Sequence, residues 1–120
     1  MIILLVDDTV GIRKLLLENF LEGHTVIEAE NGQDAKEKIQ QSKLPFDLVI
    51  TDFSMPLMNG LELAKWIKEI YPHTPVILMS TMEREEYAPA DVFLLKFRPL
   101  NRVPDDIVDG YKGTIYDATK

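Results

Sequence analysis

The chain has 120 residues, with 13 basic and 20 acidic side chains and a formal net charge of −7. A chain of this length forms one domain that buries roughly two thirds of its unfolded surface, and its acidic balance argues against direct binding of nucleic acid. The absence of cysteine excludes disulfides and thiolate metal sites, and we expect a cytoplasmic protein. The N-terminal apolar run, Ile2 to Val6, is too short for a signal peptide or a membrane span.

Hydrophobic patterns predict strands and helices in alternation along the chain. The first strand is the run Ile2 to Val6, and apolar residues at a helical spacing then extend from Ile12 to Phe20, with Thr9 as a cap and Gly23 as the stop. The later elements are predicted as a strand at 25–29, a helix at 33–41, a strand at 47–53, a helix at 61–70, and strands at 75–80 and 92–96.

This alternation indicates a parallel sheet with helices on both faces. Counted from Asp8, Glu30 and Phe53 to the start of the next strand, the first three crossovers contain 16, 16 and 21 residues. Only 11 residues, Thr81 to Asp91, join the fourth strand to the fifth. A whole parallel crossover needs about 10 to 12 residues, and Pro89 lies inside this one. We therefore expect the fourth helix to be shortened, irregular or missing.

Aspartates close two of the predicted strands. Asp7 and Asp8 follow the first strand, and Asp52 lies at the end of the third. The carboxyl ends of parallel strands meet at one edge of the sheet, where open α/β sheets bind ligands. A single aspartate at such a place is usually just solvated, but three ionised carboxylates supply the hard oxygen ligands that Mg²⁺ prefers. The sequence therefore predicts a divalent-metal site at this edge.

Two further polar residues close strands on the same edge, Ser80 after the fourth strand and Lys96 after the fifth. Acids that hold a metal, a hydroxyl and a fixed cation suit phosphoryl transfer, in which positioning and charge neutralisation do most of the catalysis. Asp52 is then a candidate nucleophile that attacks phosphorus through its carboxylate. Plainer interpretations remain open, with Lys96 as a surface lysine and Ser80 as a turn residue.

Three segments resemble the receiver domain of bacterial response regulators, namely Leu4 to Asp8, Gly23 to Gly32, and Asp52 to Gly60. The resemblance runs from about Ile2 to Lys96, and the pattern D-x-x-M-P-x-x-x-G combined with an Asp-Asp strand end carries most of it. It implies an α/β, flavodoxin-like, doubly wound sheet of five parallel strands in the order 2-1-3-4-5. We expect residues 1–120 to form a single receiver domain.

The resemblance also implies a role for each acid. Asp52 would take a phosphoryl group from the phosphohistidine of a histidine kinase or phosphotransfer protein, so the domain would catalyse its own phosphorylation and dephosphorylation without being a conventional enzyme. Mg²⁺ would bind Asp7, Asp8, Asp52 and the backbone carbonyl of Ser54, with Asp7 acting through a water molecule. The domain would then signal to an unknown downstream protein by a conformational change, with neither a membrane nor nucleic acid as a direct partner.

The same family pattern assigns the residues that would respond to phosphorylation. Ser80 would hydrogen-bond a phosphoryl oxygen, Lys96 would pair with the group, and Phe93 matches the aromatic switch position, although a simple core role for Phe93 is equally open. Thr81 lies where the family prefers a very small residue beside the phosphoryl group. Phe97 follows Lys96, where the family usually has proline, so the loop that aims this lysine would take another route.

Other functions remain as alternatives. Residues 100–113 lack a long amphipathic period, so the usual output face of the family is not carried over, and a pseudo-receiver that binds partners independently of phosphorylation is the second hypothesis. A metal-dependent phosphatase or a flavin protein is disfavoured, because the acids are adjacent rather than in a D-x-D pattern and no glycine-rich phosphate loop follows the first strand.

Overall fold

The computed structural model describes residues 1–19, 21, 23–43, 45–80 and 86–95. In chain order they form β1 (Ile2–Val6), α1 (Val10–Asn19), β2 (Thr25–Ala29), α2 (Gly32–Gln41), β3 (Leu48–Asp52), α3 (Gly60–Ile70), β4 (Val76–Ser80) and β5 (Val92–Leu95). All strand pairs are parallel and their order is β2-β1-β3-β4-β5, which confirms the predicted flavodoxin-like sheet. The predictions for Thr81, Lys96, Phe97 and residues 100–113 lie outside the described residues.

Both faces of the sheet are buried, because successive side chains of a strand point to opposite sides. In β1, Leu4 and Val6 pack in the cluster that contains the apolar residues of α2 and α3. Ile3 and Leu5 pack in the second cluster, which contains the apolar residues of α1. The four are fully buried. The apolar run of the first strand is therefore continuous rather than alternating, as expected for an interior parallel strand.

Polar residues and glycine set the ends of the first two helices. The carbonyl of Thr9 accepts hydrogen bonds from the N–H groups of Ile12 and Arg13, so Thr9 occupies the predicted cap position of α1. Asn31 caps α2, with its side chain accepting from the Asp34 N–H at 2.8 Å. Gly23 has a φ of +88° and turns the chain after α1. None of the helices that the structure describes is long and apolar enough to cross a membrane.

The predicted element bounds differ from the observed ones by one residue at several ends. The third and fourth strands begin at Leu48 and Val76 rather than one residue earlier. Immediately before β3, the Asp47 carboxylate accepts a hydrogen bond from the Ile2 N–H at 2.7 Å. Before β4, Pro75 has no N–H to donate to a neighbouring strand. Helices α2 and α3 begin one residue earlier than predicted, at the glycines that directly follow their caps.

The crossover from β4 to β5 is described from Glu86 to Asp91, and these six residues contain turns but no helix. The Ala90 N–H donates to the carbonyl of Tyr87 at 2.9 Å, and the Asp91 N–H donates to the carbonyl of Val76 at 2.8 Å, which brings the chain into β5. The ring of Tyr87 stacks on that of Phe93, with centroids 5.7 Å apart. The prediction of a shortened or missing fourth helix is therefore consistent with this part of the crossover.

Candidate functional site

The carboxyl end of β1 leads into a tight turn that carries Asp7 and Asp8. Asp7 is fully buried, and its N–H donates to the carbonyl of Ala29 on β2 at 3.1 Å. Its Oδ1 accepts from the Thr9 N–H at 2.9 Å, a contact between a side chain and the backbone two residues later that is common in turns. Asp8 is exposed, with the Thr9 hydroxyl 3.4 Å from its Oδ1. The two neighbouring carboxylates therefore lie in different environments.

Asp52 is the last residue of β3, whose five residues are all buried. Its side chain and backbone together leave it only 4% exposed. The Thr51 hydroxyl donates to the backbone carbonyl of Asp52 at 3.0 Å, and the next residue, Phe53, donates its N–H to the carbonyl of Met79 on β4 at 2.7 Å. The sheet therefore fixes the backbone on both sides of Asp52 and holds the buried residue at the carboxyl edge.

Asp7, Asp8 and Asp52 come together as the sequence predicts. One carboxylate oxygen from each lies within 4.8 Å of the corresponding oxygens of the other two. Two unit negative charges at 4 to 5 Å repel by roughly 3 to 4 kcal/mol at an effective dielectric constant of about 20, and less where one group is exposed, as Asp8 is. A cation placed among these oxygens would replace that repulsion by attraction.

The loop after β3 carries Ser54, which is exposed and lies two residues beyond Asp52. The Met58 N–H donates to the Pro56 carbonyl at 2.8 Å, and Leu57 between them has a φ of 72°, which together describe a strained γ-turn. Asn59 then forms a capping box with Glu62 at the start of α3. The loop from β3 to α3 therefore contains a γ-turn and ends at a helix cap, and both lie shortly after Asp52 in the sequence.

Of the other predicted site residues, the structure describes Ser80 and Phe93. Ser80 closes β4 and is 5% exposed. Its neighbour Met79 pairs with Asp52 in the sheet, so Ser80 lies one residue further along the adjacent strand at the same edge. Phe93 lies in β5, partly buried, and is stacked on Tyr87. Lys96 and Thr81 lie outside the described residues.

The sequence did not reveal that Arg13 contacts the site. From the first turns of α1 its Nη1 donates to the backbone carbonyl of Asp7 at 2.5 Å, while its Nε donates to Glu28 Oε1 on β2 at 2.9 Å. Lys38 of α2 donates to the carbonyl of Glu28 and, at 3.1 Å, to Asp34 Oδ2. The Lys38–Asp34 pair lies within α2 at an i,i+4 spacing. The contacts of Arg13, and that of Lys38 with Glu28, join separate elements of the fold, so no local spacing in the sequence indicated them.

Comparisons with known proteins agree with this geometry. Residues 3–93 match the family model described as the response regulator receiver domain. Among solved structures, the response regulator TrrA from Thermotoga maritima, in complex with Mg(2+)-BeF, is 33% identical with a TM-score of 0.73, covering 83% of this chain and 90% of that one. The chemotaxis protein CheY4 of Vibrio cholerae is 30% identical with a TM-score of 0.71, covering 79% of this chain and 85% of that one.

Among curated relatives, the transcriptional regulatory protein GlrR of Escherichia coli (strain K12) is 39% identical over 79 residues, which cover 65% of this chain and 17% of GlrR. The chain thus corresponds to a small part of that relative, and the transcriptional role is that of GlrR. The family model covers most of the sheet and the three aspartates. The chain belongs to the response regulator receiver domain family.

Proposed function

We propose that this chain is a phosphoaccepting receiver of a two-component pathway, with Asp52 as the acceptor. The observation that carries the proposal is the meeting of three carboxylates, two of them buried, within 4.8 Å at the carboxyl edge of the sheet. Family membership supports it, because receiver domains take phosphoryl groups in two-component signalling.

The donor set fits Mg²⁺. Oxygens bound directly to one Mg²⁺ at about 2.0 to 2.1 Å lie at most about 4.2 Å apart, and the three carboxylate oxygens, all within 4.8 Å of one another, are close enough to surround one ion. The role of water at Asp7 follows the family pattern. We assign Asp8, Asp52 and the carbonyl of Ser54 as direct ligands and Asp7 as the residue that acts through water. TrrA, which is similar in fold and sequence, was solved with Mg(2+)-BeF, which supports the choice of metal.

In the proposed reaction, a carboxylate oxygen of Asp52 attacks the phosphorus of a phosphohistidine. The new O–P bond forms as the P–N bond breaks, and the imidazole nitrogen keeps the electron pair of that bond. Bound Mg²⁺ would neutralise charge on the transferred group. The Ser80 hydroxyl at the adjacent strand end donates to a phosphoryl oxygen, and Lys96, by its place in the family pattern, pairs with the same group.

Phosphorylation replaces the single negative charge of the Asp52 carboxylate with a phosphoryl group of about −1.5 to −2 at a buried strand end, and it adds three acceptor oxygens there. Ser80 and Lys96 gain a strong partner, and we propose that the loop after β4, including Thr81, moves toward the phosphoryl group and carries the signal. Phe93 is the aromatic residue that responds, and its stacking on Tyr87 links it to the β4–β5 crossover. The upstream partner is a histidine kinase or phosphotransfer protein, the downstream partner is another protein, and the domain, residues 1–120, acts in the cytoplasm.

The test uses acetyl phosphate and Mg²⁺ with intact-protein mass spectrometry. Wild type should gain the mass of one phosphoryl group, Asp52→Asn should gain none, and Asp47→Asn, which alters an exposed aspartate at the opposite edge of the sheet, should react as wild type does. Beryllofluoride with Mg²⁺ should shift the amide NMR signals around Asp52. An unmodified wild type that also binds no Mg²⁺ contradicts the proposal, as does full modification of Asp52→Asn.

One observation favours a second candidate, a pseudo-receiver that binds its partner without phosphorylation. The described part of the β4–β5 crossover forms turns rather than a helix, so the surface beside β5 differs from the usual output face. The two candidates are separated by partner binding. Equal affinity of the partner for unmodified wild type, phosphorylated wild type and Asp52→Asn would favour the pseudo-receiver.

A further inference from the structure

Arg13 is held in a fixed position beside the acidic cluster. Its side chain is 15% exposed and makes two directed contacts, from Nε to Glu28 Oε1 at 2.9 Å and from Nη1 to the backbone carbonyl of Asp7 at 2.5 Å. Hydrogen bonds from a guanidinium are charge-assisted and geometrically rigid, because its N–H groups lie in one plane. At the acidic cluster, Arg13 therefore contacts the peptide group that follows Asp7 and not the Asp7 carboxylate.

We propose that Arg13, held by Glu28, is a positioning residue. By fixing the peptide between Asp7 and Asp8, it sets the orientation of the two residues relative to each other for metal binding. The proposal rests on the function proposed above only in its use of Mg²⁺. The carbonyl that Arg13 contacts belongs to the planar peptide group that also contains the Asp8 nitrogen. Rotation of this plane turns the backbone of Asp8 relative to Asp7. Arg13 therefore restrains the one peptide that joins the two acids.

Two further contacts of Asp7 make this restraint effective. The Asp7 N–H is bound to the carbonyl of Ala29, and Asp7 Oδ1 accepts from the Thr9 N–H. β2 therefore holds the N–H of Asp7, the following turn holds its side chain, and Arg13 holds its carbonyl. Without the contact from Arg13, the peptide between the two aspartates would rotate more freely.

Glu28 explains how a cation can lie near a metal site without weakening it. A lone guanidinium close to the cluster would repel Mg²⁺, whereas the carboxylate of Glu28 at 2.9 Å neutralises the charge of Arg13. Glu28 pairs with Leu5 in the sheet, and its carbonyl accepts from Lys38 of α2. The pair therefore supplies directed hydrogen bonds with little net charge.

The opposite edge of the sheet contains a matched ion pair that serves as a control. Lys68 of α3 lies 2.7 Å from Asp91, with side chains 17% and 37% exposed, against 15% and 41% for Arg13 and Glu28. Lys68 also donates to a backbone carbonyl, that of Thr74, at 2.7 Å. Removing either cation deletes the same kinds of contact, but only Arg13 contacts the residues that carry the acidic cluster.

The first experiment compares Arg13→Met with Lys68→Met by isothermal titration with MgCl₂ alone. Residues that orient metal ligands typically change affinity by about 10- to 100-fold when replaced, so Arg13→Met should raise the Mg²⁺ dissociation constant about tenfold or more. Lys68→Met should leave it within about twofold of wild type, even where both variants lose similar thermal stability. Equal dissociation constants for wild type and Arg13→Met overturn the proposal while leaving Mg²⁺ binding by the aspartates intact.

The second variant is Glu28→Gln, which leaves Arg13 with an uncompensated charge. Mg²⁺ affinity should fall about three- to tenfold by electrostatic repulsion. The double variant Arg13→Met with Glu28→Gln should bind Mg²⁺ no more weakly than Arg13→Met alone, because Glu28 acts through Arg13. Additive losses in the double variant overturn the linked role of the pair.

A readout without metal separates this proposal from the proposed function. The Thr9 amide, which donates to Asp7 Oδ1, should exchange its hydrogen about tenfold faster in Arg13→Met than in wild type, and Lys68→Met should leave it unchanged. A wild type that binds no Mg²⁺ contradicts the proposed function. Unchanged Thr9 exchange in Arg13→Met overturns the positioning role, whether or not Mg²⁺ binds.

Discussion

At the scale of single residues, Gly60 shows how closely the loop after β3 returns to the site. A Cβ built on Gly60 would lie 2.1 Å from the backbone oxygen of Asp52 and 2.8 Å from Leu78 Cδ1. This oxygen belongs to β3, the central strand of the sheet, so moving it would disturb the backbone of the sheet. The Gly60 N–H also donates to the Phe53 carbonyl at 2.8 Å. The start of α3 is therefore packed directly on the peptide of the proposed phosphoacceptor.

Gly60→Ala should destabilise the domain by roughly 1 to 3 kcal/mol, the usual range for overpacking, and should weaken Mg²⁺ binding because Asp52 must shift. Gly11→Ala is the control, since a Cβ there meets nothing within 4 Å and alanine favours a helix by up to about 1 kcal/mol. Chemical denaturation and Mg²⁺ titration of both variants measure the two effects. A Gly60→Ala variant as stable as wild type would contradict this packing.

At the scale of elements, α3 begins with reciprocal capping. The Asn59 side chain accepts from the Glu62 N–H at 2.8 Å, and the Glu62 carboxylate accepts from the Asn59 N–H at 3.2 Å. The two capping residues lie at the protein surface, whereas Leu63 and Ile67, further along α3, are buried. The cap thus fixes where the helix starts, and the apolar face fixes how it packs.

Asn59→Ala should cost about 1 kcal/mol of stability, because the Glu62 N–H at the helix start loses its side-chain acceptor. Asn59→Asp keeps a side-chain acceptor at the same position and adds a negative charge at the helix N-terminus, so its stability should stay close to that of wild type. Urea unfolding followed by circular dichroism tests the pair. Equal losses in the two variants would show that the capping contact is not what stabilises this end.

Some elements of the fold could be predicted from the sequence, and others could not. β1 and β3 were predicted because each is an apolar run that ends at an aspartate, and parallel pairing then brings the acids together. The Asn31-Gly32 and Asn59-Gly60 pairs indicated the breaks before α2 and α3, although both helices begin one residue earlier than predicted, at the glycine. The positive φ of Leu57 was not predictable, since leucine avoids that region and only the surrounding loop imposes it. The contact of Arg13 with Asp7 and Glu28 depends on three elements meeting, which no local pattern encodes.

At the scale of the whole molecule, aspartates serve different purposes at the two edges of the sheet. Asp47 and Asp91 precede β3 and β5, and each accepts a backbone N–H from an adjacent strand at 2.7 Å, from Ile2 and Val76 respectively. At the carboxyl edge, three aspartates are instead crowded within 4.8 Å in a chain of net charge −7. The stability of the whole domain should therefore respond to charge at the carboxyl edge.

Asp8→Asn should raise the melting temperature of the metal-free domain, because it removes one charge from the cluster. Glu69→Gln, on the exposed side of α3, makes the same change in net charge and should have little effect. A metal-free melting temperature for Asp8→Asn at or below that of wild type would count against a tight cluster.

Mg²⁺ at ten times its dissociation constant should stabilise wild type by about 1.4 kcal/mol, a rise of roughly 5 °C in melting temperature. The rise should shrink in Asp8→Asn and persist in Glu69→Gln, since only the first removes a proposed ligand. Thermal melts with increasing MgCl₂ at constant ionic strength measure it. A wild-type melting temperature independent of MgCl₂ would contradict Mg²⁺ binding to the folded domain.

Trp66, the single tryptophan of the chain, lies on α3 with the Lys36 ammonium of α2 5.1 Å from its ring centroid. The fluorescence of an indole depends on the polarity around it and on nearby charges. Separation of α2 from α3 should therefore change the emission wavelength and intensity of Trp66. Because the indole packs with the cluster between the sheet and α2 and α3, its fluorescence follows one defined helix contact. The domain therefore contains its own optical reporter of unfolding, without any added label.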